Sequence, residues 1–104
     1  MSKDLLTSKK DKNVMSEYTI ETSTTKIEKR LRNFIIEYPA IKSKLRRLQQ
    51  NPRKAIDAHP LHGEFEGLWS CHLSRNPDMV LIYFIDEKKK IIGVLRIGSH
   101  GQVY

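Results

Sequence analysis

Residues 79 to 85, Met-Val-Leu-Ile-Tyr-Phe-Ile, restrict the possible folds of this chain more than any other stretch. The run is apolar at both odd and even positions, yet far shorter than the roughly 18 to 20 residues that cross a bilayer. Arg75-Asn76-Pro77-Asp78 precedes it and Asp86-Glu87-Lys88-Lys89 follows, and both read as turns. A short apolar run between two turns predicts a central strand covered on both faces. Such a strand needs partners on either side and at least one further layer against it.

The neighbouring segments supply the strands. Residues 65 to 73 alternate, with Phe65, Gly67, Trp69, Cys71 and Leu73 at odd positions and Glu66, Leu68, Ser70 and His72 at even ones. This predicts a half-buried strand with His72 on its more polar face. Residues 91 to 100, Ile-Ile-Gly-Val-Leu-Arg-Ile-Gly-Ser-His, predict a last strand. Arg96 and His100 would share one face of it, with Gly98 able to bend the chain between them.

The first half changes period. Thr25-Lys26-Ile27-Glu28 has the spacing of a capping box, and Ile27, Leu31, Phe34, Ile35 and Tyr38 follow at helical intervals. Pro39 ends that helix and opens the next. There Ile41, Leu45 and Leu48 form the apolar stripe, Lys42, Lys44, Arg46 and Arg47 the outer surface, and Asn51-Pro52 the stop. Residues 17 to 24 alternate as a first strand, whereas residues 1 to 14 show no apolar period and read as a flexible tail before a single domain at 15 to 104. The expected architecture is α+β: an N-terminal strand, a two-helix hairpin, then a three-stranded antiparallel meander, with the helices on one sheet face.

Charge divides along the same boundary. Residues 1 to 54 hold 14 of the 19 Lys and Arg but only 6 of the 12 Asp and Glu, so the net +7 belongs to the helical half. A basic face of this kind draws phosphate backbones or an acidic protein partner. The plainer alternative is a solvated helix surface. No secretory signal is legible at the N-terminus. The single Cys71 allows no internal disulfide, so the expected compartment is the cytoplasm and no membrane association is expected.

All four histidines, His59, His62, His72 and His100, fall in the second half, with Asp78 and Arg96 among them. Imidazole moves protons in both directions near neutrality, and a guanidinium grips phosphate through paired hydrogen bonds. These are the parts of a metal-free ribonuclease, although scattered histidines are more often surface or hydrogen-bonded core residues. A zinc site built from His59-Pro60-Leu61-His62 with Cys71, His72 and His100 lacks any CxxC or HExxH pair. The five glycines are too dispersed for a phosphate loop, and Cys71 reads as a structural thiol.

His59-Pro60-Leu61-His62-Gly63, Gly67-Leu68-Trp69-Ser70-Cys71-His72, Pro77-Asp78-Met79-Val80-Leu81-Ile82-Tyr83 and Arg96-Ile97-Gly98-Ser99-His100 occur in that order, with Tyr104 four residues later. Together they resemble the RelE/ParE toxin superfamily, and most of all its YafQ branch, whose pattern is HPLxGxWxGxRxxHxxPDWLLIY followed by RxGxH. The chain departs from that pattern at Phe65, Trp69 and Met79, where the branch has tryptophan, arginine and tryptophan.

The resemblance implies the toxin of a type II toxin–antitoxin pair, a ribosome-dependent endoribonuclease that cleaves mRNA by 2′-hydroxyl attack without metal or other cofactor. Carried over by position, the site residues are His59, His72, Asp78, Arg96, His100 and Tyr104. His100 would be the general acid, Arg96 the phosphate clamp, Asp78 with His72 or His59 the base side, and Tyr104 a stacking contact. Lys42, Lys44, Arg46 and Arg47 would hold the ribosome. The implied partners are a cognate antitoxin, the ribosome and mRNA, the toxin being a monomer when free and part of a hetero-oligomer with its antitoxin. The alternatives are a ParE-like DNA gyrase inhibitor without nuclease activity and a degenerate member that only binds antitoxin.

Overall fold

The computed structural model describes residues 17–104, so the expected tail at 1 to 14 and the domain start at residue 15 lie outside the described residues. The chain runs β1 (Thr19–Thr22), α1 (Thr25–Glu37), α2 (Ile41–Gln50), β2 (His59–Pro60), β3 (Trp69–Arg75), β4 (Asp78–Asp86), β5 (Ile91–Gly98) and α3 (His100–Val103). The strands form one mixed sheet in the order β1-β5-β4-β3-β2. β1 pairs parallel to β5, and every other pairing is antiparallel. The apolar run does occupy the centre, with Val80, Leu81, Ile82 and Tyr83 all wholly buried.

Its two faces meet different cores. Leu81 and Tyr83 join Cys71, Leu73, Ile92 and Val94 beneath Leu31, Phe34, Ile35, Leu45 and Leu48 of the helix hairpin. Val80 and Ile82 face the other way, into a small cluster with Val103, Leu61 and Leu68. The helix hairpin thus covers one sheet face as expected. The second face is closed by α3 and the segment between β2 and β3, and it carries the candidate site.

Five local expectations are corrected. The cap of α1 is Thr24, not Thr25: the Thr24 hydroxyl accepts from the Ile27 N–H at 3.1 Å, while Glu28 pairs with Arg32 at 2.8 Å. The strand expected from residue 65 begins at Trp69, because Gly63–Phe65 form a 3-10 turn and Gly67 sits at φ +91°, outside strand geometry. The last strand ends at Gly98. Ser99 then starts α3 with a true capping box to Gln102, so Arg96 and His100 do not share a strand face. Finally, His59-Pro60 adds an edge strand against Trp69 and Ser70.

Two bulges set which side chains reach the second face. The β4–β5 register shifts between Ile82 and Tyr83, so that Ile82 opposes Arg96 while Tyr83 opposes Val94. That shift puts Arg96 in line with Ile82 and Ser70 across three strands, and His72 in line with Val80 and Gly98. The β3–β4 register shifts again between His72 and Ser74, at the edge of the site.

Candidate active site

Three residues from three different elements converge at one end of the sheet. His72 comes from β3, Asp78 is the first residue of β4, and His100 is the first residue of α3. The Asp78 carboxylate accepts the His100 backbone N–H at 2.8 Å and the His100 Nδ1 at 2.9 Å. A carboxylate only accepts, so Nδ1 carries a proton and Nε2 is the nitrogen left for chemistry. These two bonds, the backbone one first, hold the Asp78 carboxyl below the usual carboxylate range.

His72 lies beside this pair. Its ring centroid is 4.7 Å from that of His100, and its Nε2 is 3.8 Å from an Asp78 oxygen. Burial pushes the His72 imidazole down from its ordinary value, and the charges of Arg75 and His100 push it further. The lowered value favours the neutral imidazole, the state a general base requires. The site thus pairs a partly buried imidazole with a second one oriented by a carboxylate.

Tyr104 flanks the pair. Its ring stacks on His100 at 6.1 Å, its hydroxyl donates to the buried Ser70 hydroxyl at 2.7 Å, and its edge meets Phe65 at 6.0 Å. Arg96 lies over the Phe65 ring, 5.4 Å from its centroid, and donates from Nη1 to the Val103 carbonyl at 3.0 Å. Arg96 reaches the histidines through Phe65, Tyr104 and Val103 rather than by direct contact. His59 is placed differently: its exposed ring donates from Nδ1 to the Asp57 carbonyl at 3.0 Å.

A cavity of about 430 Å³ opens next to His72, lined by Lys44, Arg47, Ile56, Asp57, Ser74, Arg75 and Asn76. The four helix cations named from the sequence therefore separate. Lys44 and Arg47 face the cavity, Arg46 lies 3.9 Å from the Glu17 carboxylate, and Lys42 is exposed on the helix surface. Trp69 and Met79, two of the positions that depart from the family pattern, pack against the helix-side core.

The segment before β2 is strained. Ile56 and Asp57 take consecutive positive φ values of 44° and 61°, a conformation that costs roughly 1–2 kcal/mol per non-glycine residue. Ile56 packs on the core, and the Asp57 carboxylate pairs with the Arg75 guanidinium. Both partners are more than half exposed, at 61% and 68%, so this pair returns about 0–1 kcal/mol. Arg75 was hidden in what read as a turn. Ser70 and Phe65 were likewise missed as site residues, although Ser70 shares the parity of His72.

The grouping of His59, His62 and Cys71 with His72 and His100 considered from the sequence does not form. Cys71 is buried and its thiol is driven far up by desolvation, while His62 is exposed beside Glu66. A different set, His72, Asp78 and His100, offers three ligand atoms within 4.8 Å of one another and could hold a transition-metal ion.

The five-stranded mixed sheet backed by a helix hairpin is shared with RelE- and YafQ-type toxin structures. Residues 6–104 match the family of YafQ, the bacterial toxin of a type II toxin–antitoxin system, and the chain belongs to that family. Among solved structures it is similar to a metal-bound toxin from Helicobacter pylori, with 26% identity over 84% of this chain and 99% of that one and a TM-score of 0.60. It is also similar to a chain of the Escherichia coli DinJ–YafQ toxin–antitoxin complex (24% identity, 85% and 98% covered, TM-score 0.57). A chain of the RelBE2 toxin–antitoxin complex from Mycobacterium tuberculosis shares the fold as well (22% identity, 81% and 99% covered, TM-score 0.61). No curated protein sequence matches.

Proposed function

We propose that this toxin is a ribosome-dependent endoribonuclease that cleaves mRNA without a metal ion. The observation that carries the reading is the His72–Asp78–His100 cluster. The neutral His72 takes the proton of a 2′-hydroxyl as its oxygen attacks phosphorus. The P–O5′ bond breaks, His100 donates its proton to the departing O5′, and a 2′,3′-cyclic phosphate is left. Arg96 keeps further guanidinium donors beyond its bond to Val103 and offsets charge on the phosphate. Tyr104 stacks beside the reacting nucleotide. Asp78 orients His100 rather than taking a proton itself. His59, bonded to Asp57, is a less suited base than His72.

Lys44 and Arg47 extend the site toward RNA phosphates, with Lys42 on the helix surface beyond them. No helix among the described residues is long and apolar enough to cross a membrane, and the proposed place of action is the cytoplasm, where ribosomes are. The partner proposed for the resting cell is an acidic antitoxin that covers the basic helices, as two of the similar structures are toxin–antitoxin complexes. The free toxin is proposed to be a monomer.

The test is cleavage of mRNA on purified ribosomes, mapped by primer extension, for the parent and a folded His100→Ala protein. Loss of 10²-fold or more supports the reading. Full cleavage by the variant overturns it. Arrested DNA replication with intact mRNA would point instead to a gyrase inhibitor.

A further inference from the structure

We infer that Arg75 is an additional RNA-phosphate-binding residue, and that the Asp57 carboxylate occupies its guanidinium in the free protein and is displaced when RNA enters. The inference rests on the nuclease reading and adds a subsite to it. Arg75 stands on the wall of the cavity beside His72, with Lys44 and Arg47 lining the same space. Three cations and a catalytic histidine around one open cavity form a track for a nucleic-acid backbone.

Within that track the Asp57 carboxylate already sits on Arg75. Carboxylate and phosphate present similar oxygen pairs to the guanidinium fork, so Asp57 stands where a phosphate would sit. The exposure of both side chains shows that the pair is no buried staple for the fold. The backbone nonetheless holds two consecutive left-handed residues to deliver that carboxylate, with Ile56 anchoring the turn on the core. Strain placed at an exposed ion pair next to a catalytic residue fits a displaceable latch better than a structural contact. Displacement also frees the Asp57 segment, whose carbonyl holds the His59 ring.

The experiment measures binding of a fluorescent, all-deoxy single-stranded hexanucleotide by anisotropy across a salt series. This probe keeps the phosphates but has no 2′-hydroxyl to cleave, so its result is separate from the nuclease assay. Arg75→Gln is expected to weaken binding about tenfold and to flatten the log K against log salt slope by about 0.7, one phosphate contact. Asp57→Asn is expected to tighten binding several-fold. The decisive variant is the double one: with Arg75 already Gln, Asp57→Asn should gain nothing. If the gain persists there, the carboxylate acts only through general repulsion and the latch is refuted. Unchanged affinity and slope in Arg75→Gln, shown folded by its melting temperature, removes the subsite. If ribosomal mRNA stays intact while these binding results hold, the nuclease reading falls and the phosphate subsite stands.

Discussion

Asp78→Asn should disable the toxin at least as thoroughly as Asp78→Ala, although asparagine is nearly the shape of aspartate. The carboxylate receives two donors from one residue, the His100 backbone N–H at 2.8 Å and Nδ1–H at 2.9 Å. Asparagine offers one oxygen and one NH₂ group. If the oxygen stands at the Oδ2 position it still reaches both donors, but the NH₂ at the Oδ1 position then lies 2.9 Å from Nδ1–H and opposes that proton. The doubly protonated ring that the proposed mechanism needs is then opposed. If the oxygen stands at the Oδ1 position instead, the NH₂ opposes the backbone N–H that opens α3, and His100 moves with the helix start. Either arrangement misplaces the acid, and a positioned acid contributes about 10²–10⁴-fold to rate. Alanine leaves both donors to water and opposes neither of them. The assay is single-turnover mRNA cleavage on ribosomes at saturating toxin, so that binding does not limit, with circular dichroism melting as the check on fold. An Asn variant within about threefold of the parent would refute the role given to Asp78.

Four other outcomes follow from the geometry. The acid limb of the cleavage rate reports His72, so it should lie below the ordinary histidine range; Arg75→Gln, which removes a charge that holds His72 down, should move it to higher pH. Zinc or copper added to the purified toxin should inhibit cleavage by engaging His72, Asp78 and His100, chelator treatment of the toxin should restore it, and toxin treated with EDTA and then freed of it should cleave when ribosomes are supplied separately with their magnesium. Tyr83→Phe removes the buried bond from the Tyr83 hydroxyl to the Pro52 carbonyl at 2.6 Å, and should cost about 1–2 kcal/mol, or roughly 5–15 °C in Tm by calorimetry. Glu87, held down to about 2 by Lys90, Tyr18 and Arg53, has a depressed folded value; its stabilisation is complete above about pH 4.5 and is lost as pH falls toward 2, so Glu87→Gln should flatten the melting temperature over that window.

Much of this molecule was written in local patterns. The apolar run at 79 to 85 had to be central, and the stripes at Leu31, Phe34, Leu45 and Leu48 had to face the sheet, because periodicity reports which side of an element is buried. The identities of His72, Asp78, His100, Arg96 and Tyr104 were likewise visible as residue types in a recognisable order. Tertiary structure decided what touches what. Ser99 ended the last strand and turned His100 onto Asp78, a capping signal outweighed in the sequence by the strand pattern before it. A one-residue register shift carried Arg96 to the face of the candidate site, and period-two alternation cannot foretell a bulge. His59 belonged to the same motif yet bonds Asp57, while Arg75, unremarked in a turn, lines the cavity beside His72. Asp57 and Arg75 lie 18 residues apart and Asp78 and His100 lie 22 apart. Contacts over such separations depend on strand register and helix starts, which are set by the packing of the whole sheet rather than by any one segment.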